Sequence, residues 1–162
     1  MKYLLIILII LIILKKKVEK FETKPYIWTY WENLPGKKKP EYIDLCFESM
    51  KKHCSKSFNI VILNENSIKN YLPNINPNIK NIKKEEIFKL VDYYRLLLLY
   101  KYGGIWLDAD TIVFKNLISL IHKLDKDNLS YIGFGCSSGT NKFKCRSITP
   151  SNGVMVAKKI VK

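Results

Sequence analysis

Two aspartates one residue apart, Asp108 and Asp110, close the apolar run Ile105, Trp106, Leu107 within LLLLYKYGGIWLDADTIVF, residues 96–114. Apolar flanks predict partly desolvated carboxylates, and two like charges so placed need a cation to offset their repulsion. A divalent ion shared between carboxylate oxygens and the phosphates of a ligand is the usual solution. Asp92 and Arg95 lie just upstream, three apart and therefore on one helix face, where a local ion pair is the plain alternative. The chain contains its own control: Asp125-Lys126-Asp127 has the same spacing in a polar connection and reads as a solvated turn. Spacing alone is therefore not diagnostic. What sets Asp108 and Asp110 apart is the apolar strand before them, the pair Gly103-Gly104 and the upstream Asp92 and Arg95.

Positioning such a site requires strands that end where the carboxylates begin. YIWTY, residues 26–30, is aromatic and β-prone and is predicted as a first strand, ending at Trp31 before a turn at Pro35-Gly36. Residues 41–53 place Tyr42, Leu45, Cys46 and Ser49/Met50 at helical spacing, and FNIVIL, residues 58–63, has the β-branched character of a buried parallel strand. A short helix follows over 67–72, then a loop without periodicity over 73–81. Residues 85–101 form the longest predicted helix, with Glu85 and Glu86 at its start and Ile87, Leu90, Val91, Tyr94, Leu97 and Leu98 as its buried stripe. Gly103 suits a left-handed cap. Further elements are expected as a helix over 117–124 and strands over 131–134 and 154–157. The alternation predicts right-handed β-α-β units and a mostly parallel sheet, in which ligands sit beyond the carboxyl ends of the strands.

The chain has 162 residues, enough for one domain, and a formal net charge of +14. Of its 28 basic residues 26 are Lys, beside 22 Ile and 13 Asn, a bias typical of AT-rich coding sequence. Arg, preferred for bidentate phosphate and base contacts, occurs only at 95 and 146, so a solvated basic surface is expected and no nucleic-acid partner. Cys46, Cys54, Cys136 and Cys145 form no CxxC pair, which argues against zinc; Cys136 and Cys145 flank a Ser/Gly/Lys loop and either pair in an oxidising compartment or stay free.

Residues 3–14 are an uninterrupted apolar run between Lys2 and Lys15-Lys16-Lys17. Twelve helical residues rise about 18 Å against a hydrocarbon core of about 30 Å, the length of a signal-peptide core, yet no small-residue cleavage site follows. An uncleaved single-pass anchor over 1–17, a polar linker over 18–24 and one domain over 25–162 are expected. The Lys cluster after the run favours a cytosolic domain, a domain facing a secretory-type lumen is the other orientation, and both stand. The sequon Asn128-Leu129-Ser130 would report lumenal exposure if glycosylated.

Together IWTYW (27–31), the Asp92-Tyr93-Tyr94-Arg95 segment, LYKYGGIWLDAD (99–110) and SNGVMVAK (151–158) resemble the DXD-containing glycosyltransferases of the capsular-polysaccharide-synthesis type. These are related to fungal initiating α-mannosyltransferases and, more distantly, to large clostridial glucosylating toxins. The resemblance implies an α/β fold of the GT-A, Rossmann-like kind and a nucleotide-diphosphate sugar donor, UDP- or GDP-linked. It further implies Mn2+ or Mg2+, a glycan or glycolipid acceptor and retention of anomeric configuration. It assigns Asp110 to the metal, and Asp108 to the ribose or donor sugar and the metal shell. Asp92 and Arg95 would hold the sugar and ribose side, Trp31 would lie against the base and Trp106 would line the sugar pocket. Trp28 and Asn152 are weaker assignments, with core packing as the alternative for Trp28 and a turn before Gly153 as the alternative for Asn152. The family continues beyond the SNG segment with a further metal-site residue and much of the acceptor site, so the chain is expected to be C-terminally incomplete, with a partner chain supplying the remainder.

Two rivals belong to other classes. A haloacid-dehalogenase-type phosphatase would need a residue between the second Asp and the Thr, but Thr111 follows Asp110 directly. A membrane-anchored module that binds a sugar nucleotide or a partner glycosyltransferase without turnover is the alternative function.

Overall fold

A computed structural model describes residues 24–76, 79, 86–134 and 151–160. In chain order its elements are β1 (Tyr26–Tyr30), α1 (Glu41–Cys54), β2 (Asn59–Leu63), α2 (Ile68–Tyr71), α3 (Ile87–Tyr102), β3 (Gly104–Leu107), α4 (Ile118–Lys126), β4 (Tyr131–Phe134) and β5 (Ser151–Ala157). The apolar run over 3–14 and the pair Cys136 and Cys145 lie outside the described residues. Among the described residues no helix is long and apolar enough to cross a membrane.

The strands form one sheet in the order β2-β1-β3-β5-β4. Parallel pairing joins β2, β1 and β3, while β5 is antiparallel to both β3 and β4, so four of the five strands share one direction. The mostly parallel α/β sheet read from the alternation is present, with β5 as the correction. An antiparallel neighbour needs no helical crossover; the strand β5 itself starts earlier than expected, at Ser151, where it pairs with β4, while its ladder with β3 covers Val154–Ala157 as expected. FNIVIL also differs from expectation, because β2 lies at the edge of the sheet and is only half-buried over most of its length.

Side chains alternate across the sheet with the strand period of two and build two cores. Ile27, Ile105, Leu107 and Val156 face α1 and α4, where Ile43, Phe47, Met50, Phe58 and Leu124 complete one core. Trp28, Tyr30, Trp106 and Met155 face α2 and α3, where Ile68, Leu72, Tyr94, Leu98 and Leu99 complete the other. The architecture is thus a sheet between two helical layers.

The buried stripe of α1 is Ile43, Cys46, Phe47, Met50 and Cys54, rotated from the expected one: Tyr42 and Leu45 are exposed. Both stripes have helical spacing, and only the docking of α1 on β1 and β3 selects between them. The helix begins after Pro40 with Glu41 and Asp44 in its first turn and ends with Lys51, Lys52 and His53, each sign matched to its end of the helix dipole. The α3 stripe agrees with expectation, with Tyr94, Leu98 and Leu99 buried and Ile87, Leu90, Val91 and Leu97 packed against the same core.

Trp28 is fully buried and stacks on Tyr26 at 4.4 Å, with Tyr71 and Tyr102 at its edges. Its indole Nε1 donates to the Gly103 carbonyl at 2.9 Å, which ties the end of α3 to β1. Trp28→Phe removes that buried donor and is expected to destabilise the fold by about 1–3 kcal/mol, read as a lower urea midpoint at unchanged slope.

Candidate active site at the carboxyl edge of the sheet

β1, β2 and β3 all end at the same edge, and β5 begins there because it runs the other way. In register, Leu107 faces Val154, and the Asp108 N–H donates to the Gly153 carbonyl at 2.8 Å. The antiparallel run of β5 therefore sets Ser151-Asn152-Gly153 beside Asp108. A parallel β5 would have carried the same three residues to the opposite edge.

Arg95 organises the cluster. It is buried, and its guanidinium lies 5.0 Å above the Trp106 ring. Nη2 donates to Asp108 Oδ1 at 3.0 Å and stands 3.3 Å from Asp92 Oδ1; Nη1 donates to the Asn152 carbonyl. Trp106 Nε1 donates to the same Asp108 Oδ1 at 2.8 Å, and Asn152 Nδ2 donates to Asp92 Oδ1 at 3.0 Å. Residues from α3, β3 and β5 thus share one polar network, and the local Asp92–Arg95 ion pair is one part of it. Each of the two aspartates has one oxygen committed to this network. In both cases Oδ2 makes no hydrogen bond or ion pair among the described residues.

Gly153 is part of this geometry. A Cβ at that position would lie 2.9 Å from Asp108 Oδ2, so only glycine leaves the carboxylate where Arg95 and Trp106 hold it.

Asp110 differs from Asp108. A turn closed by Thr111 N–H donating to the Asp108 carbonyl at 3.0 Å carries Asp110 to the surface, where its carboxylate has no hydrogen bond or ion pair among the described residues. It lies near α1: burial raises the Cys46 thiol pKa and the Asp110 charge raises it further. No group of three or more His, Cys, Asp or Glu side chains able to hold a metal occurs among the described residues. A free Asp110 carboxylate and the uncommitted Asp108 oxygen match a divalent ion that takes its remaining ligands from phosphate and water, as Mg2+ commonly does. The control pair is neutralised instead, Asp125 by Lys158 at 3.2 Å and Asp127 by Lys123 at 2.6 Å.

Trp31 is half-buried at the end of β1 and packs with the core under α1, on the sheet face opposite Trp28 and Trp106. Among the described residues no hydrogen bond joins it to the Arg95 network; its Nε1 donates to Asn33 Oδ1 at 2.9 Å. On the α2 and α3 side lies a pocket of about 630 Å³, walled by Tyr30, Tyr94, Ile68, Leu72 and Leu90, with Glu32, Asn33, Glu65, Lys69 and Asn76 among its polar groups. Sequence reading did not find this pocket. Its only trace there is that Glu32 and Glu65 lie just past two apolar strands, the position at which open α/β sheets bind ligands.

A family model described as "Capsular polysaccharide synthesis protein" matches residues 8–159. The chain belongs to that family. The match contains every residue of the Arg95 network, together with Asp110, Trp31 and the pocket. No curated protein matches the sequence. Among solved structures the chain is similar to one titled "PaToxG Glycosyltransferase", at 17% identity over 84% of this chain, with a TM-score of 0.46. The chain spans 55% of the length of that structure. A likeness this distant supports no conclusion about function.

Proposed function

We propose that the protein is a glycosyltransferase that moves a sugar from a nucleoside-diphosphate donor to a glycan or glycolipid acceptor. The observation that carries this reading is the convergence of Asp92, Arg95, Trp106, Asp108 and Asn152 on one polar network beside a free Asp110, in a chain of the capsular polysaccharide synthesis family.

The chemistry follows from the uncommitted atoms. Asp92 and Asp108 each keep one carboxylate oxygen to accept a sugar or ribose hydroxyl, while Arg95 holds both carboxylates in place and offsets their charge. Trp106, fully buried beneath the Arg95 guanidinium, serves the site by holding Asp108 through its Nε1 and has no ring face open to a ligand. The nucleoside enters the pocket that Tyr30 and Tyr94 help to wall, with Trp31 bearing on it through Asn33. Asp110, with the free oxygen of Asp108, would hold Mn2+ or Mg2+. Bound there, the ion would supply Lewis-acid stabilisation to the negative charge that develops on the departing diphosphate. Membrane attachment through residues 3–14 and a partner chain completing the acceptor side belong to the same proposal.

Calorimetry of the detergent-solubilised full chain with UDP- and GDP-sugars tests it. Binding strengthened by Mn2+ is expected, and Asp110→Ala should remove the metal dependence while leaving the fold intact by circular dichroism. Absence of binding to any sugar nucleotide would sink the proposal. Binding without transfer to any glycan or lipid acceptor would instead mark a binding module.

A further inference from the structure

We propose that the pocket at the ends of β1 and β2 selects guanine over uracil through the carboxylate of Glu65, an inference that rests on reading this edge as the donor site. Among the described residues, the charged and amide side chains that line the pocket are those of Glu32, Asn33, Glu65, Lys69 and Asn76. The Glu32 carboxylate accepts the Glu65 backbone N–H at 2.9 Å through Oε2, which holds the loop after β2 against β1, and it also lies against the Tyr30 phenol, whose pKa burial raises first and Glu32 next by its charge and a hydrogen bond. That loop is closed on itself, since Asn64 Oδ1 accepts the N–H groups of Asn66 and Ser67 at 3.0 and 2.9 Å, so Glu65 is presented from a fixed backbone. Asn33 Oδ1 is occupied by Trp31. The Glu65 carboxylate makes no hydrogen bond or ion pair among the described residues and lines the pocket from its exposed rim. Burial raises the phenol pKa values of Tyr30 and Tyr94; Glu65 adds to the shift at Tyr94, and at Tyr30 it adds less than Glu32 does.

An ionised carboxylate only accepts hydrogen bonds. Guanine presents two adjacent donors, N1–H and N2–H, which match its two oxygens, next to the O6 acceptor. Lys69, which lines the same pocket, can donate to O6. Uracil presents a single N–H between two carbonyls, so one carboxylate oxygen would be set against a carbonyl oxygen. Adenine and cytosine each offer one amino group beside a ring-nitrogen acceptor. Only guanine satisfies both oxygens of Glu65.

Equilibrium binding of GDP, UDP, CDP and ADP to the detergent-solubilised full chain in Mn2+ tests this, with Glu65→Gln alongside the unaltered protein. One additional hydrogen bond to a charged group predicts GDP tighter than UDP by about tenfold or more. Glu65→Gln should weaken GDP alone, bringing the two within about threefold, with UDP binding unchanged as the internal sign of an intact fold. UDP binding as tightly as GDP, or a GDP preference that survives Glu65→Gln, would overturn the inference and leave the donor-site reading standing. Failure of all four nucleotides to bind the unaltered protein would remove both.

Discussion

Gly104→Ala is expected to destabilise the protein by about 4 kcal/mol or more, a large share of the total stability of an ordinary domain. Gly104 opens β3 at φ +99, a region that L side chains rarely adopt, and a Cβ there would lie 2.4 Å from the Tyr26 carbonyl oxygen. The clash is with backbone, so no side chain can swing aside to relieve it. Relief would require β3 to move away from β1, breaking the parallel pairing of Ile27 with Ile105 and Trp28 with Trp106 around which both cores are built. Urea denaturation should show a much lower midpoint, and amide exchange in β1 should lose its protection. An unfolding free energy within about 1 kcal/mol of the unaltered protein would show that β1 and β3 are not held as described.

Gly153→Ala is expected to do the opposite, keeping the fold and emptying the site. Here the added Cβ meets the end of a side chain, Asp108 Oδ2 at 2.9 Å, so the carboxylate can rotate and the backbone can stay. Rotation takes Oδ1 away from Arg95 Nη2 and Trp106 Nε1, two donors on buried residues, while Asp108 itself is partly exposed. The stability change should stay below about 3 kcal/mol, the cost of buried donors losing their acceptor and less than that of the backbone clash at Gly104. Sugar-nucleotide binding should fall by about tenfold or more, the worth of a hydrogen bond to a charged group. Near-ultraviolet circular dichroism, sensitive to Trp106, and calorimetry measured on one preparation separate the two effects. Full-strength binding in this variant would mean that the placement of Asp108 does not matter to the donor.

The two glycines show how differently parts of this molecule can be read in its sequence. Gly103-Gly104 was legible as a helix stop because such a pair after an apolar helix has a local cause, the positive φ that both residues adopt. Gly153 was legible only as a turn residue beside Asn152. Its actual constraint comes from Asp108, 45 positions away, and depends on β5 running antiparallel to β3. The elements themselves were largely readable for the same local reason: periods of two and of 3.6 are properties of short segments. The face that α1 buries was not readable. Tyr42, Leu45 and Cys46 make a helical stripe as good as Ile43, Cys46 and Phe47, and the choice between them is made by what packs on the helix.

The sequence by itself determined that apolar strands deliver two carboxylates after a Gly pair, that Asp92 and Arg95 share a helix face, and which family the chain resembles. All of these are set by neighbours in the chain or by a motif order. Tertiary structure decided what the residues do to one another. It gave Arg95 two carboxylates and a carbonyl from three different elements, committed Asp108 and freed Asp110, and put Trp31 on the other side of the sheet from Trp106. It also opened a pocket between the end of β1 and α3. The physical reason is strand direction: reversing β5 exchanges the ends of its ladder without changing a residue, and only the folded chain shows which end meets Asp108.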